Sequence, residues 1–225
     1  MSEFKHVVQD IQRVPDELVH AVSRIPTATL HEAYGQRGAL YADIRPVCLG
    51  MKLCGPVIPV KSSPGDNIIV HKAIYVAQPG DVLLVDTGGY LEGGFWGGIM
   101  TEAAIQQKIA GLVTDGSVRD TDEIADVGFP VFSRGISIKG TGKDCLGTIN
   151  HAIVFSGILV NPGDLIAADS DGVVVIARQD VSDVLAKAQQ REAKEKRGVE
   201  EIRNGRTTLD IYGLSAKLKQ LGLTE

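Results

Sequence analysis

Between Asp81 and Gly128 strand-like and helix-like runs follow one another with very short joins: DVLLVD, a glycine-rich loop, IMTEAAIQQKIA, GLVTD and TDEIADVG. Short aliphatic runs read as buried strands, and the longer segment between them has helical length. Strand, helix, strand in this order predicts a βαβ unit, whose parallel strands are joined by a right-handed crossover. The loops that leave the two strands, 87–98 and 115–120, then open into one crevice, the usual ligand site of such sheets.

The flanking sequence predicts a single layered α/β domain over residues 1–225, with a helical N-terminal extension (1–40) and a C-terminal helical arm (180–225). The first thirty residues read as helical: PDELVHAVSRI sets Pro15 and two acids at a helix start and aligns Leu18, Val22 and Ile25, and a second helix is expected from Thr27 or Thr29. From Val47 to Val60, apolar runs cut by Gly and Pro predict strands and tight turns, and further strands are expected after residue 128. Pro-Gly-Asp recurs, ending at Asp66, Asp81 and Asp164, and reads as a structural turn module. The polar stretch SDVLAKAQQREAKEKRGVEEIR has too few apolar positions to bury much against its own domain, so it is expected to lie across a neighbouring subunit.

Net charge is -5 with no block of like charges, which argues against nucleic acid as a ligand. No run approaches the roughly 18 apolar residues of a membrane span, and the N-terminus has no apolar leader. Three cysteines without a CxxC pair give no disulfide framework, and a cytoplasmic setting is expected.

The loop DTGGYLEGGFWGG, Asp86 to Gly98, holds six glycines but matches neither GxxxxGK[ST] nor GxGxxG. It reads either as a flexible surface loop or as an anion cradle, where the helix beginning near Ile99 would present free N–H groups past Gly97 and Gly98 to a carboxylate or a phosphate. The second loop, TDGSVRD, also has two readings. Asp120 with Glu123 fits a D-x-x-E capping box, with Arg119 as a surface partner. Alternatively, Asp120 offers a hard oxygen to Mg²⁺ or Mn²⁺, and Arg119 a planar donor fork to an oxyanion. Trp96 and Tyr90 would either wall the pocket or simply pack. The five histidines have no zinc-like spacing; His31 and His71 read either as approaching the crevice or, more commonly for such residues, as satisfied core or interface histidines.

FWGGIMTEAAIQQKIAGLVTDGSVRD resembles the signature segment of the class II pyruvate aldolases, and TATLHEAYGQRGAL, SPGDNIIVHKAI, GFPVFSRGIS, LVNPGDLIAADSDGVVV and LDIYGL extend the similarity over nearly the whole chain. That family acts on 4-hydroxy-4-methyl-2-oxoglutarate and 4-carboxy-4-hydroxy-2-oxoadipate and shares a swivelling ββα-type fold with the regulators of ribonuclease E activity. The resemblance implies that Asp120 binds a divalent metal, Mg²⁺ or Mn²⁺, and that Arg119 binds a 2-oxo acid and stabilises its enolate. It further implies that the backbone of Gly97, Gly98, Ile99 and Met100 holds the carboxylate. Trimers or hexamers are implied, with Glu192 or Glu195 reaching into a neighbour's site. One position departs from the family pattern: where the aldolases usually carry an aspartate, twenty residues before the Arg-Asp pair, this chain has Gly98. Glu102, one turn on, is the nearest acid in sequence and reads as a solvated first-turn residue. The expected activity is therefore a metal-dependent C–C lyase. Oxaloacetate decarboxylation is less exposed to the missing acid than aldol cleavage, which needs a base for the C4 hydroxyl. A non-enzymatic regulator, or a lyase or dehydratase acting on another hydroxy acid, are the alternatives.

Overall fold

Four aliphatic strands organise the molecule, whose computed structural model describes residues 4–223. In chain order the first elements are α1 (Asp16–Val22), α2 (Thr27–Ala33), β1 (Arg45–Pro46), β2 (Leu53–Lys61), α3 (Ile68–Ile74) and β3 (Val82–Asp86). Next come α4 (Gly98–Gln106), β4 (Gly111–Thr114), β5 (Ser117–Val118), α5 (Thr121–Asp126), β6 (Val131–Ser133) and β7 (Gly135–Ile136). Then follow β8 (Thr148–Ile149), β9 (Ile153–Phe155), β10 (Ile158–Val160), β11 (Leu165–Asp169) and β12 (Gly172–Ile176), and last α6 (Val181–Arg203), α7 (Thr208–Ile211) and α8 (Leu214–Gln220).

Strands β2, β3, β4 and β6 are parallel neighbours. Three βαβ units therefore run in succession through α3, α4 and α5, where the sequence announced one. Every residue of β3 and β4 is buried, as expected for parallel strands covered on both faces. Beyond β2 the sheet continues antiparallel through β11 and β12, and β1 closes the opposite edge on β6. Gly38 and Leu40 hydrogen-bond along β12, and Leu40 and Arg45 of β1 are only five positions apart. That segment reaches at most about 18 Å, so the two sheet edges curl towards each other and the sheet is nearly closed.

The antiparallel strands show which side faces what. Ile166, Ala168, Val173 and Val175 join the main core with the parallel strands. Their alternates Leu165, Ala167, Val174 and Ile176 join a second cluster with α1, α2 and the first turns of α6. Two prolines sit in β2, a central strand, where a missing donor is normally costly. At Pro59 the donor side faces the gap where the outer partner of β2 changes from β11 (Leu53–Pro56) to β8 (Val60–Lys61), so no ladder bond is lost.

The helical N-terminal expectation holds only from Asp16 onward. Residues 4–14 form no helix; Val7 bridges Ile149, Val8 N donates to Ile149 O (3.1 Å), and Arg13 forms a two-bonded ion pair with buried Asp81 at 2.8 Å. Residues 1–3 of that extension lie outside the described residues. At the other end, α6 buries Val181, Val184, Leu185 and Ala188, so its first half does pack on its own domain. From Arg191 onward it stands largely exposed, and among the described residues no helix is long and apolar enough to cross a membrane.

Candidate active site

The glycine loop is not slack. Asp115, at the end of β4, accepts hydrogen bonds from the N–H groups of Thr87 and Gly89 (both 2.7 Å) and from the Thr87 hydroxyl, while Asp86 accepts from Gly88 N at 2.8 Å. Gly88 and Gly89 take left-handed φ values of 70° and 71°, which suit glycine and let the chain turn tightly onto these acids. Farther along, Phe95 N donates to Ser117 O and Arg119 N to Trp96 O, both at 2.9 Å. This short parallel pairing carries Arg119 and Asp120 to the start of α4.

There the Asp120 Oδ2 accepts from Gly98 N at 3.0 Å, and Arg119 Nε lies 3.6 Å from the same oxygen. The capping-box reading fails. Asp120 precedes α5 in a left-handed conformation (φ 56°) and makes no side-chain cap bond; its carboxylate turns to the other helix instead. Both side chains of the Arg-Asp pair are more than a third exposed, and an ion pair so placed contributes at most about 1 kcal/mol. Folding stability does not account for the arrangement.

Ile99 and Met100 present the next N–H groups of α4, and neither has an acceptor among the described residues. A Cβ on Gly97 would overlap Asp120 Oδ2 and stand 3.1 Å from Arg119 Cγ, so the absent side chain is what lets both groups reach the helix end. These residues line a cleft of about 250 Å³, at the small end of ligand pockets. Its far wall carries His71 and Lys143. Burial, helped by the Lys143 charge, holds the His71 pKa below its ordinary 6.5, which favours the neutral ring. Lys143 and Arg119 leave the cleft cationic within an acidic protein, which favours small anions.

The structure thus brings Gly97, Gly98, Ile99, Met100, Arg119 and Asp120 together. It does not bring Glu192 or Glu195 to them. Both line a separate groove with Pro26 and Thr29, and Glu195 pairs with Arg191 at 2.9 Å. Glu102 points away, accepting from Gln106 at 2.8 Å on the exposed side of α4. His31 is tied to Arg37 O, whereas His71 lines the cleft. Trp96 is buried, stacks on Phe129, and donates to Thr101 at 2.7 Å, so it packs and also floors the cleft; Tyr90 stands half-exposed over Phe95. The Pro-Gly-Asp acids are structural: Asp81 binds Arg13, Asp164 accepts from Asn161 N and Arg178 N, and Asp66 accepts from Ile68, Asp144 and Cys145 N.

Sequence reasoning missed Asn67. Its Nδ2 donates to Phe95 O at 2.9 Å, which fixes the amide orientation, and its Oδ1 is left buried without a partner while the residue lines the cleft. A buried orphan acceptor calls for a donor such as a hydroxyl or water. Among the described residues no three His, Cys, Asp or Glu side chains converge to hold an ion. The donor set nevertheless fits Mg²⁺ or Mn²⁺, which take few carboxylates and keep most of their shell as water or ligand oxygen.

A nearly closed mixed sheet with a carboxylate and a guanidinium at the helix N-terminus beside the crevice of its parallel strands defines the α/β class to which this chain belongs. The family profile of the RraA-like proteins, Aldolase/RraA, matches residues 27–175, and the chain belongs to that family. A protein of Halalkalibacterium halodurans named "Putative 4-hydroxy-4-methyl-2-oxoglutarate aldolase" is 37% identical over 169 residues, covering 75% of this chain and 80% of its own. Among solved structures, an uncharacterized protein from Pseudomonas syringae pv. tomato superposes with a TM-score of 0.82 at 27% identity, over 94% of this chain and 97% of the other. The RNA-processing inhibitor RraA from Thermus thermophilis gives a TM-score of 0.62 at 28% identity, over 67% and 92% of the two chains.

Proposed function

We propose that this chain is a divalent-metal-dependent carbon–carbon lyase that cleaves a small 2-oxo acid through the enolate of pyruvate. Its substrates would be 4-hydroxy-4-methyl-2-oxoglutarate or 4-carboxy-4-hydroxy-2-oxoadipate, with oxaloacetate decarboxylation on the same platform. The observation that carries this reading is the Asp120 carboxylate bonded to Gly98 N, beside the Arg119 fork and the unpaired N–H groups of Ile99 and Met100. The name of the Halalkalibacterium relative supports it.

The residues divide the work by charge. The N–H groups of Ile99 and Met100, at the positive end of α4, hold the substrate carboxylate. Arg119 donates to the C2 oxygen, where negative charge grows as the C–C bond breaks, and a donor placed at that oxygen stabilises the transition state more than the ground state. Asp120 holds Mg²⁺ or Mn²⁺, which supplies Lewis-acid polarisation of the 2-oxo acid when bound. Lys143, on the far wall, suits the second carboxylate that both aldol substrates carry.

The site is completed in this reading by assembly. Apolar side chains stand exposed along the C-terminal arm, among them Val199, Ile202, Leu209 and Tyr212. Their burial in a trimer or hexamer would bring Glu192 or Glu195 of one subunit to the cleft of the next. The structural likeness to an RNA-processing inhibitor supports a second reading, a non-enzymatic regulator.

Thermal unfolding with Mn²⁺ and pyruvate distinguishes the two. Ligand at a hundredfold excess over its Kd stabilises by about 2.7 kcal/mol, a rise in Tm of roughly 5–10 °C for a chain of this size. The lyase reading expects that rise in the wild type and its loss in Asp120→Ala; an unchanged Tm in the wild type favours the regulator.

A further inference from the structure

The loop that carries Lys143, residues 137–147, has no regular structure of its own, and its course is set from two directions. At the start of α3, Gly65 O accepts from Gly142 N (2.8 Å), Asn67 N donates to Gly142 O (3.1 Å), and Asp66 accepts from Asp144 N and Cys145 N. Those anchors tie the Lys143 wall of the cleft to the wall that holds Asn67 and His71. The end of the loop is held by a segment from the far end of the chain: His6 Nδ1 donates to Gly147 O at 2.9 Å. On its other side Gly147 lies so close to β2 that a Cβ would overlap Lys61 O. The loop end is therefore pinned between the sheet and residue 6.

Residues 4–8 run as an outer strand. β8 pairs with β2 on one side, and on the other Ile149 N donates to His6 O (2.9 Å), Val8 N to Ile149 O (3.1 Å) and Asn150 Nδ2 to Val8 O (2.8 Å). His151, just past β8, donates from Nε2 to Lys5 O at 2.8 Å. The Phe4 ring lies by both imidazoles, stacked on His151 at 5.4 Å and edge-on to His6 at 5.2 Å. Each histidine bonds a carbonyl, so its bonded nitrogen carries a proton, and each crosses between strap and sheet. Together they form a clasp. Phe4, Lys5 and His6 are exposed, whereas buried Val14 and the Arg13–Asp81 pair hold the strap farther on. The clasped part can thus open without the rest of the fold, and what opening releases is the Gly147 end of the cleft wall.

We propose that His6 and His151 are positioning residues: by clasping the N-terminal strap over β8 they set the Lys143 wall, and so tune the affinity of the cleft for a second carboxylate. This rests on the reading of the cleft as a 2-oxo acid site. The first carboxylate, held at the start of α4 on the opposite side, is left untouched by the clasp. Acids with one and with two carboxylates should therefore respond differently to its loss.

The test uses the full-length protein with Mn²⁺ and measures by titration calorimetry the affinity for 2-oxoglutarate relative to pyruvate, together with amide hydrogen exchange over residues 139–149. One neutral hydrogen bond is worth up to about a tenfold change in an equilibrium, so His6→Leu is expected to lower the affinity ratio by about fivefold to tenfold and to quicken exchange in that segment by about tenfold. His6→Asn, which keeps a donor near the Nδ1 position, is expected to match the wild type, and His151→Leu to resemble His6→Leu. Lys143→Met is expected to lower the ratio by itself, and His6→Leu added to it to lower the ratio no further. Unchanged exchange in His6→Leu overturns the clasp. Quickened exchange with an unchanged ratio, or an equal loss for both acids, overturns the positioning role, as does a wild type that binds 2-oxoglutarate no better than Lys143→Met does. Pyruvate release from 4-hydroxy-4-methyl-2-oxoglutarate is measured beside these: its absence in the wild type sinks the lyase reading alone, and the affinity ratio and exchange still decide the clasp.

Discussion

Asp120 takes a backbone conformation that most side chains avoid and forgoes the cap of its own helix to reach Gly98 N. Such a residue persists where the surroundings hold it, here the pairing of 117–119 with 94–96. Gly97 is the counterpart of that arrangement. Its Cβ would overlap Asp120 Oδ2, so Gly97→Ala is expected to lower kcat/KM for pyruvate formation by about a hundredfold while the circular-dichroism Tm stays within a few degrees. Asp66 governs a different property. Burial pushes its pKa up, but the N–H groups of Ile68, Asp144 and Cys145 and the Lys143 charge outweigh that and hold it below the ordinary 3.8. A carboxylate with a depressed folded-state pKa stabilises above its unfolded value and loses that contribution as pH falls through the folded value. Asp66→Asn is therefore expected to lose about 1.5–3 kcal/mol at pH 7 in denaturant titrations, with the gap to wild type closing below pH 4. At this scale the sequence singled out Arg119 and Asp120 through their place after a strand. Asn67 and Lys143 escaped because they reach the cleft from α3 and from the loop after β7, brought there by tertiary packing.

The elements α4, β4 and α5 were legible because their apolar runs and lengths match their periods. Helix α3 was not, for Asn-Ile-Ile-Val opens it with a β-branched run that by itself favours a strand. The N-terminal segment was read as helix beyond its true start because Pro15 marks a beginning and nothing in residues 4–14 forbids one. Its extended course is set by pairing with β8, a contact more than a hundred residues away. The polar composition of α6 was read as too poor in apolar positions to bury much against its own domain, yet four residues of its first half anchor it there, because these apolar positions fall together in its first two turns. Val199 and Ile202, 45% and 44% exposed, lie three residues apart on one face of that helix. Val199→Glu/Ile202→Glu is expected to turn a trimer or hexamer into monomer in sedimentation equilibrium. With it should go pyruvate formation, if a neighbour's glutamate completes the site.

For the whole molecule, the alternation of strand and helix identified an α/β sheet but not its near closure. Closure depends on residues 38–46 bridging β12 and β6, and no local pattern records which edges a loop will join. The parallel strands nonetheless fix where chemistry can occur, because their carboxyl ends gather the β3–α4 loop and the β4–α5 loop over one small cationic cleft. The central claim, that this cleft breaks a C–C bond with Arg119 and an Asp120-held metal, is tested most directly by one assay. Pyruvate release from 4-hydroxy-4-methyl-2-oxoglutarate and from oxaloacetate is followed with Mn²⁺ and with chelator, in wild type and in Asp120→Ala and Arg119→Ala. The account predicts Mn²⁺-dependent release by the wild type and a drop of about a hundredfold or more in each variant, the scale of losing a donor or metal that acts on the developing oxyanion. Folded wild-type protein that releases no pyruvate from either substrate, or variants that match its rate, would contradict it.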